Sequence, residues 1–194
     1  SLYLVHNGFL LYHAAIPLNP DGSFTEVDVC GKRVKGKALM DRIDKVIRLA
    51  YYGEGKEKED ALDYMLYLWQ GEHSPLYNKD RMTTFERYFI ADKQTHEEKK
   101  GAYFNLSDDE CTCNNILKEF GLNPATGRII NGHVPVRTIK GETPIRANGK
   151  RFVIDGGFSK PYQEKTGIAG YTLIYNSHGI QLVEHESFES REQA

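Results

Sequence analysis

The stretch LYLVHNGFLLYH, residues 2–13, decides the fold. Its two apolar runs flank the dipeptide Asn7-Gly8. Asn-Gly between apolar runs is the strongest short-range signal for a β-hairpin, because the two-residue turn needs a positive φ angle at both positions. We therefore predict a hairpin with strands at 2–6 and 9–13, and we expect these strands to lie in a sheet.

Helices are predicted to follow this hairpin, after a smaller hairpin around Cys30-Gly31. Apolar residues recur at helical spacing over about 38–51 and 57–70, and glycine follows each segment, which predicts two helices. The motif Ser107-Asp108-Asp109-Glu110 has the form of a capping box and predicts a third helix. On the second helix, the residues expected to share the buried face are Ala61, Leu62, Met65, Leu66 and Trp69. The Tyr51-Tyr52 pair is interpreted as core in the same way.

Strands return in the last part of the chain. A short strand is predicted at 128–130, a hairpin at Asn148-Gly149, and a second hairpin over 171–185. The order of strands, helices and strands predicts a layered α/β (α+β) domain rather than alternating βαβ units. We expect one unit over 1–194, with a helical insertion at about 36–121 and a sheet segment at about 126–186.

Composition narrows the classes of function. The chain has 194 residues and a formal net charge of -2, so no excess of positive charge points to nucleic acid. No apolar run approaches the roughly 20 residues that span a bilayer, so no membrane partner is expected. The three cysteines argue against a disulfide framework and favour a cytoplasmic location, where thiols stay reduced.

Two histidines are candidate metal ligands because each lies at the predicted end of a strand. His13 ends the opening hairpin, and His133 follows Asn131-Gly132 after the strand at 128–130. Ligands in α/β proteins collect at strand ends, and a neutral imidazole suits a transition metal. These residues alone do not establish a shared ion, because a strand-end histidine is more often structural. The other five histidines are expected to be non-catalytic; they are His6, His73, His96, His178 and His185.

Several longer segments of the sequence resemble a known family. Five segments, at 12–18, 82–89, 131–136, 153–162 and 167–177, resemble class III fructose-1,6-bisphosphatase, a branch of the calcineurin-like metallophosphoesterases. The resemblance implies the C-terminal half of an αββα sandwich with mixed sheets. It also implies that His13 and His133 bind the same metal, with Mn²⁺ as the expected ion.

The same resemblance implies an incomplete two-metal site. The family's three earlier segments, of GDxHG, GDxxDRG and GNH[DE] type, do not occur here, so we expect the chain to be a fragment that is inactive alone. Ala14 stands where the wider family usually has glycine, and Pro135 stands where some members have a further histidine. The second departure favours a phosphatase over a phosphodiesterase.

The implied reaction is hydrolysis of the 1-phosphate of fructose 1,6-bisphosphate in gluconeogenesis. A bisphosphate needs cations to hold the phosphate that does not react. The candidate substrate-binding residues are Lys79, Arg81, Arg87, Arg137, Lys160 and Tyr162, with Arg81 and Lys160 placed first. Each of these cations, considered by itself, is also consistent with a position on the solvated surface.

Two alternatives remain open from the sequence. The parent protein could be another calcineurin-like phosphatase, acting on proteins or dinucleoside polyphosphates, which a substrate panel would distinguish. The isolated chain could be a binding domain without chemistry. A domain cut through a two-sheet sandwich exposes apolar surface and strand edges, so we also expect a homo-oligomer.

Overall fold

The computed structural model of the chain describes residues 1–168, 170–185 and 191. The strands are β1 (Tyr3–His6), β2 (Phe9–Tyr12), β3 (Val27–Asp28), β4 (Arg33–Val34), β5 (Arg128–Asn131), β6 (Ile145–Arg146), β7 (Arg151–Val153), β8 (Tyr171–Asn176) and β9 (Gly179–Glu184). The α-helices are α1 (Gly36–Tyr52), α2 (Gly55–Gln70), α3 (Thr84–Phe89), α4 (Tyr103–Leu106), α5 (Glu110–Glu119) and α6 (Lys160–Thr166). Short 3-10 helices lie at Lys93–His96, Thr138–Lys140 and Ala147–Gly149.

The opening hairpin is confirmed. β1 pairs antiparallel with β2, and His6 lies opposite Phe9. Asn7 and Gly8 have φ angles of 48° and 81°, the two positive values that a type I′ turn requires. The predicted hairpins around Cys30-Gly31 and Asn148-Gly149, and the β8–β9 hairpin, also form.

The opening hairpin lies in a five-stranded mixed sheet with the order β1-β2-β5-β7-β6. The three inner strands β2, β5 and β7 run parallel, and the edge strands β1 and β6 run antiparallel to their neighbours. This confirms the α/β class and the mixed sheet. The full αββα sandwich and the domain limits at about 36–121 and 126–186 stay predictions.

The two faces of this sheet are covered differently. Leu10 and Ile129 point to the helical side, where they are fully buried in one core with Ile43 of α1 and Ile116 of α5. Neighbouring residues along the strands point the other way, as period-two alternation requires. On that side Phe9 packs edge-on against Tyr175 of β8, with ring centroids 5.0 Å apart. The helices and the β8–β9 hairpin therefore cover opposite faces.

The buried face predicted for α2 is confirmed at Ala61 and is wrong at the other four residues of the set. Ala61 and Leu68 are the buried residues of this helix, and α2 packs against α1. Trp69 is 59% exposed and Tyr51 76% exposed, so neither is core. The other exposed members of the predicted set, with the second tyrosine of the pair, are Leu62, Met65, Leu66 and Tyr52. Helical spacing permits two adjacent apolar stripes, and the position of α1 decides which one is buried.

The predicted start of the third helix is displaced by two residues. α5 begins at Glu110, and its N-cap is Asp109, whose carboxylate accepts the Thr112 N–H at 2.8 Å. Ser107 instead caps the end of the short helix α4. The helix starts where a carboxylate can accept from the first turn, an acceptor stronger than a serine hydroxyl.

Further expectations concern membranes and cysteines. Within the described residues, no helix has the length and apolarity that crossing a bilayer requires. Cys30, Cys111 and Cys113 are free thiols, in line with the absence of a disulfide framework.

Substitutions on α2 test which of its faces is buried. Leu68 is 1% exposed, so Leu68→Ala should lower the free energy of unfolding by about 2–5 kcal/mol. Trp69→Ala should lower it by less than about 1 kcal/mol, because the indole lies largely in solvent. Chemical denaturation of the two variants measures both values. An equal loss in the two variants would contradict the exposed position of Trp69.

Candidate metal centre

The structure brings the two candidate histidines together. His13 follows β2 and His133 lies two residues beyond β5. Because β2 and β5 are neighbouring parallel strands, their carboxyl ends meet at one edge of the sheet. His13 Nε2 lies 3.0 Å from His133 Nδ1, although 120 residues separate them.

Backbone and amide hydrogen bonds hold the two strand ends in place. The Gly132 N–H donates to the His13 carbonyl at 2.9 Å. The Asn131 side-chain amide donates to the Ala14 carbonyl at 3.0 Å, and its oxygen accepts from Arg151 Nη1 at 3.2 Å. Asn131 is buried, so this link is shielded from water. These hydrogen bonds therefore fix the backbone positions of both histidines.

His133 has a backbone conformation that is uncommon for its residue type. Its φ angle is 69°, in the left-handed region that non-glycine residues seldom adopt. Such a conformation costs on the order of 1–3 kcal/mol and persists only where the surroundings impose it. Here it turns the imidazole towards His13 directly after the strand ends.

The surroundings of His133 favour its neutral form. Burial lowers the pKa of His133 to about 4, and the nearby His13 and Lys79 act in the same direction. Asp155 opposes them but does not restore the ordinary value. A neutral imidazole keeps a lone pair free, which is the form that binds a metal.

The pair has a geometry that fits a shared metal ion. Two ligands at right angles, each about 2.1 Å from one ion, lie about 3 Å apart, which matches the observed nitrogen separation. Without a metal, the same separation allows one ring N–H to donate to the other nitrogen. No group of three or more His, Cys, Asp or Glu side chains in the described part of the chain could hold an ion. The two histidines therefore fit as part of a ligand set.

Aromatic side chains and an open cleft surround the pair. The cleft has a volume of about 690 Å³, and His13, His133, Leu76 and Asp155 are among its lining residues. The ring of Tyr77 lies 6.3 Å from the His133 ring, in an edge-on arrangement. Phe104 stacks on another side of His133, with centroids 6.5 Å apart.

Of the predicted substrate-binding cations, Lys79 is close enough to His133 to affect its pKa. Its ammonium lies 5.0 Å from the centroid of the Tyr77 ring and donates to Glu98 at 2.8 Å. Burial would raise the pKa of Glu98, but hydrogen bonds from Lys79 and Thr83 lower it to about 2. Lys79 is thus held near the histidines by a stable ion pair.

Arg81 and Arg87 do not line the cleft around the histidines. Arg81 is exposed and lies 3.5 Å from the carboxylate of its neighbour Asp80. Arg87 donates to the Thr83 hydroxyl and to the His96 carbonyl, each at 2.9 Å. These contacts give Arg87 a structural role in the loop, and a substrate role for either arginine stays a prediction.

The remaining predicted residues lie after His133 in the chain. Arg137 pairs with Glu142, with Nε donating at 2.8 Å. Tyr162 is 56% exposed on α6, beside the backbone of Gly157. The side chain of Lys160 lies outside the described part of the structure. No contact of Arg137 or Tyr162 tests its predicted role.

Sequence reasoning missed three residues near the histidines. Asp155 follows β7, so it lies at the same sheet edge as His13 and His133. The strand-end argument applied to the histidines would have found it. Lys100 and Phe104 come from the segment between α3 and α5, where weak periodicity gives no signal. Partial loss of hydration and the nearby cations, foremost Arg137, lower the pKa of Lys100.

The chain is similar to known proteins along its whole length. A family model described as Firmicute fructose-1,6-bisphosphatase matches residues 1–194. A fructose-1,6-bisphosphatase class 3 of Bacteroides fragilis is 58% identical over 196 aligned positions, covering 100% of this chain and 30% of the relative. A protein of the same name from Clostridium acetobutylicum is also 58% identical, with the same coverage.

The chain spans about 30% of the length of these curated relatives. No solved structure matches it.

Titration of His133 tests the electrostatics of the pair. In the metal-free chain its imidazole should titrate near pH 4, below the roughly 6.5 of an unfolded histidine. The unfolded state then binds the proton more tightly, so the free energy of unfolding should fall as the pH drops from about 6.5 to about 4. NMR of the ring nitrogens, with denaturation of His133→Asn as the control, measures both effects. A midpoint near 6.5 would contradict the prediction.

Proposed function

Because the chain belongs to the Firmicute fructose-1,6-bisphosphatase family, we propose that it forms part of a metal-dependent phosphatase. The proposed reaction is hydrolysis of the 1-phosphate of fructose 1,6-bisphosphate, a step of gluconeogenesis. The observation that carries this proposal is the His13–His133 pair, with ring nitrogens 3.0 Å apart. Two imidazoles at that separation are suited to one metal ion.

The two histidines hold and orient the metal in this proposal. Mn²⁺ is the proposed ion, and when bound in a two-metal site it supplies positive charge to the phosphoryl oxygens and acidity to water. Gly132 and Asn131 fix the strand ends, so the backbones that carry the imidazoles are already in place before the metal binds. Preorganisation of this kind lowers the cost of metal binding.

The cations near the pair are proposed to hold substrate phosphate. Lys79 is the best placed, since it is close enough to His133 to influence its pKa. The five remaining proposed contacts, carried over from the family resemblance, are Arg81, Arg87, Arg137, Lys160 and Tyr162. Arginine suits the role because its planar group binds phosphate through paired hydrogen bonds.

The carboxylates and further ligands of a two-metal centre are proposed to lie in the part of the protein that corresponds to the remaining length of the relatives. Two histidines alone leave the charge of a divalent ion uncompensated. We also propose a cytoplasmic enzyme that acts as a homo-oligomer, in keeping with its three free thiols and exposed apolar side chains.

The isolated 194-residue chain should show no appreciable phosphatase activity, because no group of three or more His, Cys, Asp or Glu in its described residues could hold an ion. Phosphate release from fructose 1,6-bisphosphate, with added Mn²⁺, measures this. Turnover by the chain alone would contradict the proposed incomplete centre. Release from a phosphoprotein or a dinucleoside polyphosphate, but not from the sugar bisphosphate, in the full-length enzyme would assign the protein to another phosphatase branch.

In the full-length enzyme, His133→Ala and His13→Ala should each nearly abolish turnover, because each removes one ligand of the proposed ion. Circular dichroism should show an intact fold. His178→Ala is a matched control, since His178 lies exposed in the turn between β8 and β9. Wild-type turnover in His133→Ala would remove His133 from the site.

A further inference from the structure

A small pocket lined by cations lies beside the histidine cleft. It has a volume of about 170 Å³, and four cationic side chains line it. They are Lys100, Arg137, Arg146 and Arg151. The pocket and the histidine cleft share Asn131 and Gly132 as walls, and Phe104 both lines the pocket and stacks on His133.

The carboxylates in the pocket compensate only part of its positive charge. Asp108 and Glu142 are the two acidic residues in its lining. Arg151 donates a hydrogen bond to Asp108, and Arg137 donates one to Glu142 at 2.8 Å. Among the described residues, Lys100 has no ion pair, so two more cations than anions face the space.

Arg146 is held in the pocket by two long ion pairs. Its terminal nitrogens lie 3.6 Å from Asp108 and 3.5 Å from Glu142. Its Nε is buried and has no hydrogen-bond partner among the described residues. A guanidinium donor left unpaired in a buried place is costly, which is a reason to look for a missing acceptor.

Ser107 lies in the same wall and is fully buried. Arg146 has an unused donor in a space where positive charge is in excess. An anion with several acceptor oxygens would accept hydrogen bonds from the cations and relieve the repulsion among them.

We propose that this pocket binds the phosphate group of the sugar bisphosphate that is not hydrolysed. The inference rests on the proposed function and deepens it by assigning the far end of the substrate. The pocket has room for one phosphate group but not for a hexose bisphosphate. Because the pocket and the histidine cleft share Asn131 and Gly132 as lining residues, they are neighbours, and the proposal places the sugar between them. Lys100 and Arg146 are the new binding residues, and Arg137 lines the same pocket while paired with Glu142.

Binding of inorganic phosphate to the 194-residue chain tests the pocket directly. Isothermal titration calorimetry and arginine Nε–H NMR should show binding that perturbs the Arg146 signal. Arg146→Gln and Lys100→Gln should each weaken it by about tenfold or more, as expected for the loss of one charged hydrogen bond. Lys100→Gln leaves no carboxylate unpaired, so it keeps the test open if Arg146→Gln misfolds.

Arg48→Gln is the matched control, because Arg48 is exposed and donates to Asp44 at 2.9 Å, away from the pocket. It should bind phosphate as the wild type does. Equal affinity in all variants, or no binding at all, would overturn the proposal and leave the pocket as an ion-pair network.

A kinetic measurement on the full-length enzyme separates this inference from the proposed function. Lys100→Gln and Arg146→Gln should reduce kcat/KM for fructose 1,6-bisphosphate about tenfold more than for p-nitrophenyl phosphate, which has no second phosphate. Equal losses for the two substrates would overturn the assignment. A wild-type enzyme that hydrolyses neither substrate would contradict the proposed function. The phosphate-binding measurement would then be the test of the pocket.

Discussion

Strands β2 and β5 run parallel, with Leu10 opposite Ile129, and their carboxyl ends therefore lie side by side. The meeting of His13 and His133 follows from that pairing. The Gly132 N–H continues the hydrogen bonding beyond the strands by donating to His13, and the Asn131 amide adds a buried link to Ala14. A shift of one residue would turn the side chains of β5 to the opposite face and separate the histidines.

The segment around Asn131 has two functions in this arrangement. On one side its backbone leads into the histidine cleft, and on the other it forms the wall of the cation-lined pocket. Asn131 is bonded to Arg151, so the strand end and the positive charge of the pocket are fixed together. In the proposed function, this coupling would set the spacing between the two phosphates of the substrate.

The sequence was informative where structure depends on neighbouring residues. The Asn7-Gly8 turn formed as expected, since its backbone angles depend on the two residues themselves. The choice of buried face on α2 was wrong because it depends on where α1 lies. The strand-end argument could have made Asp155 a candidate, but it could not have shown its neighbours. Its place beside His133 requires β7 to be the neighbour of β5, which no local pattern shows.

By itself, the sequence determined the hairpins, the approximate bounds of the helices and the α/β class. Through the segments that resemble a known family, it also pointed to the two histidines as candidate ligands. These follow from turn chemistry, hydrophobic period and motif, which are properties of short segments. Only the tertiary structure decided that His13 and His133 lie 3.0 Å apart and that Lys100 lines one pocket with Arg137, Arg146 and Arg151. The physical reason is that strand pairing and packing join residues far apart in the chain, and the distances between such residues belong to the fold.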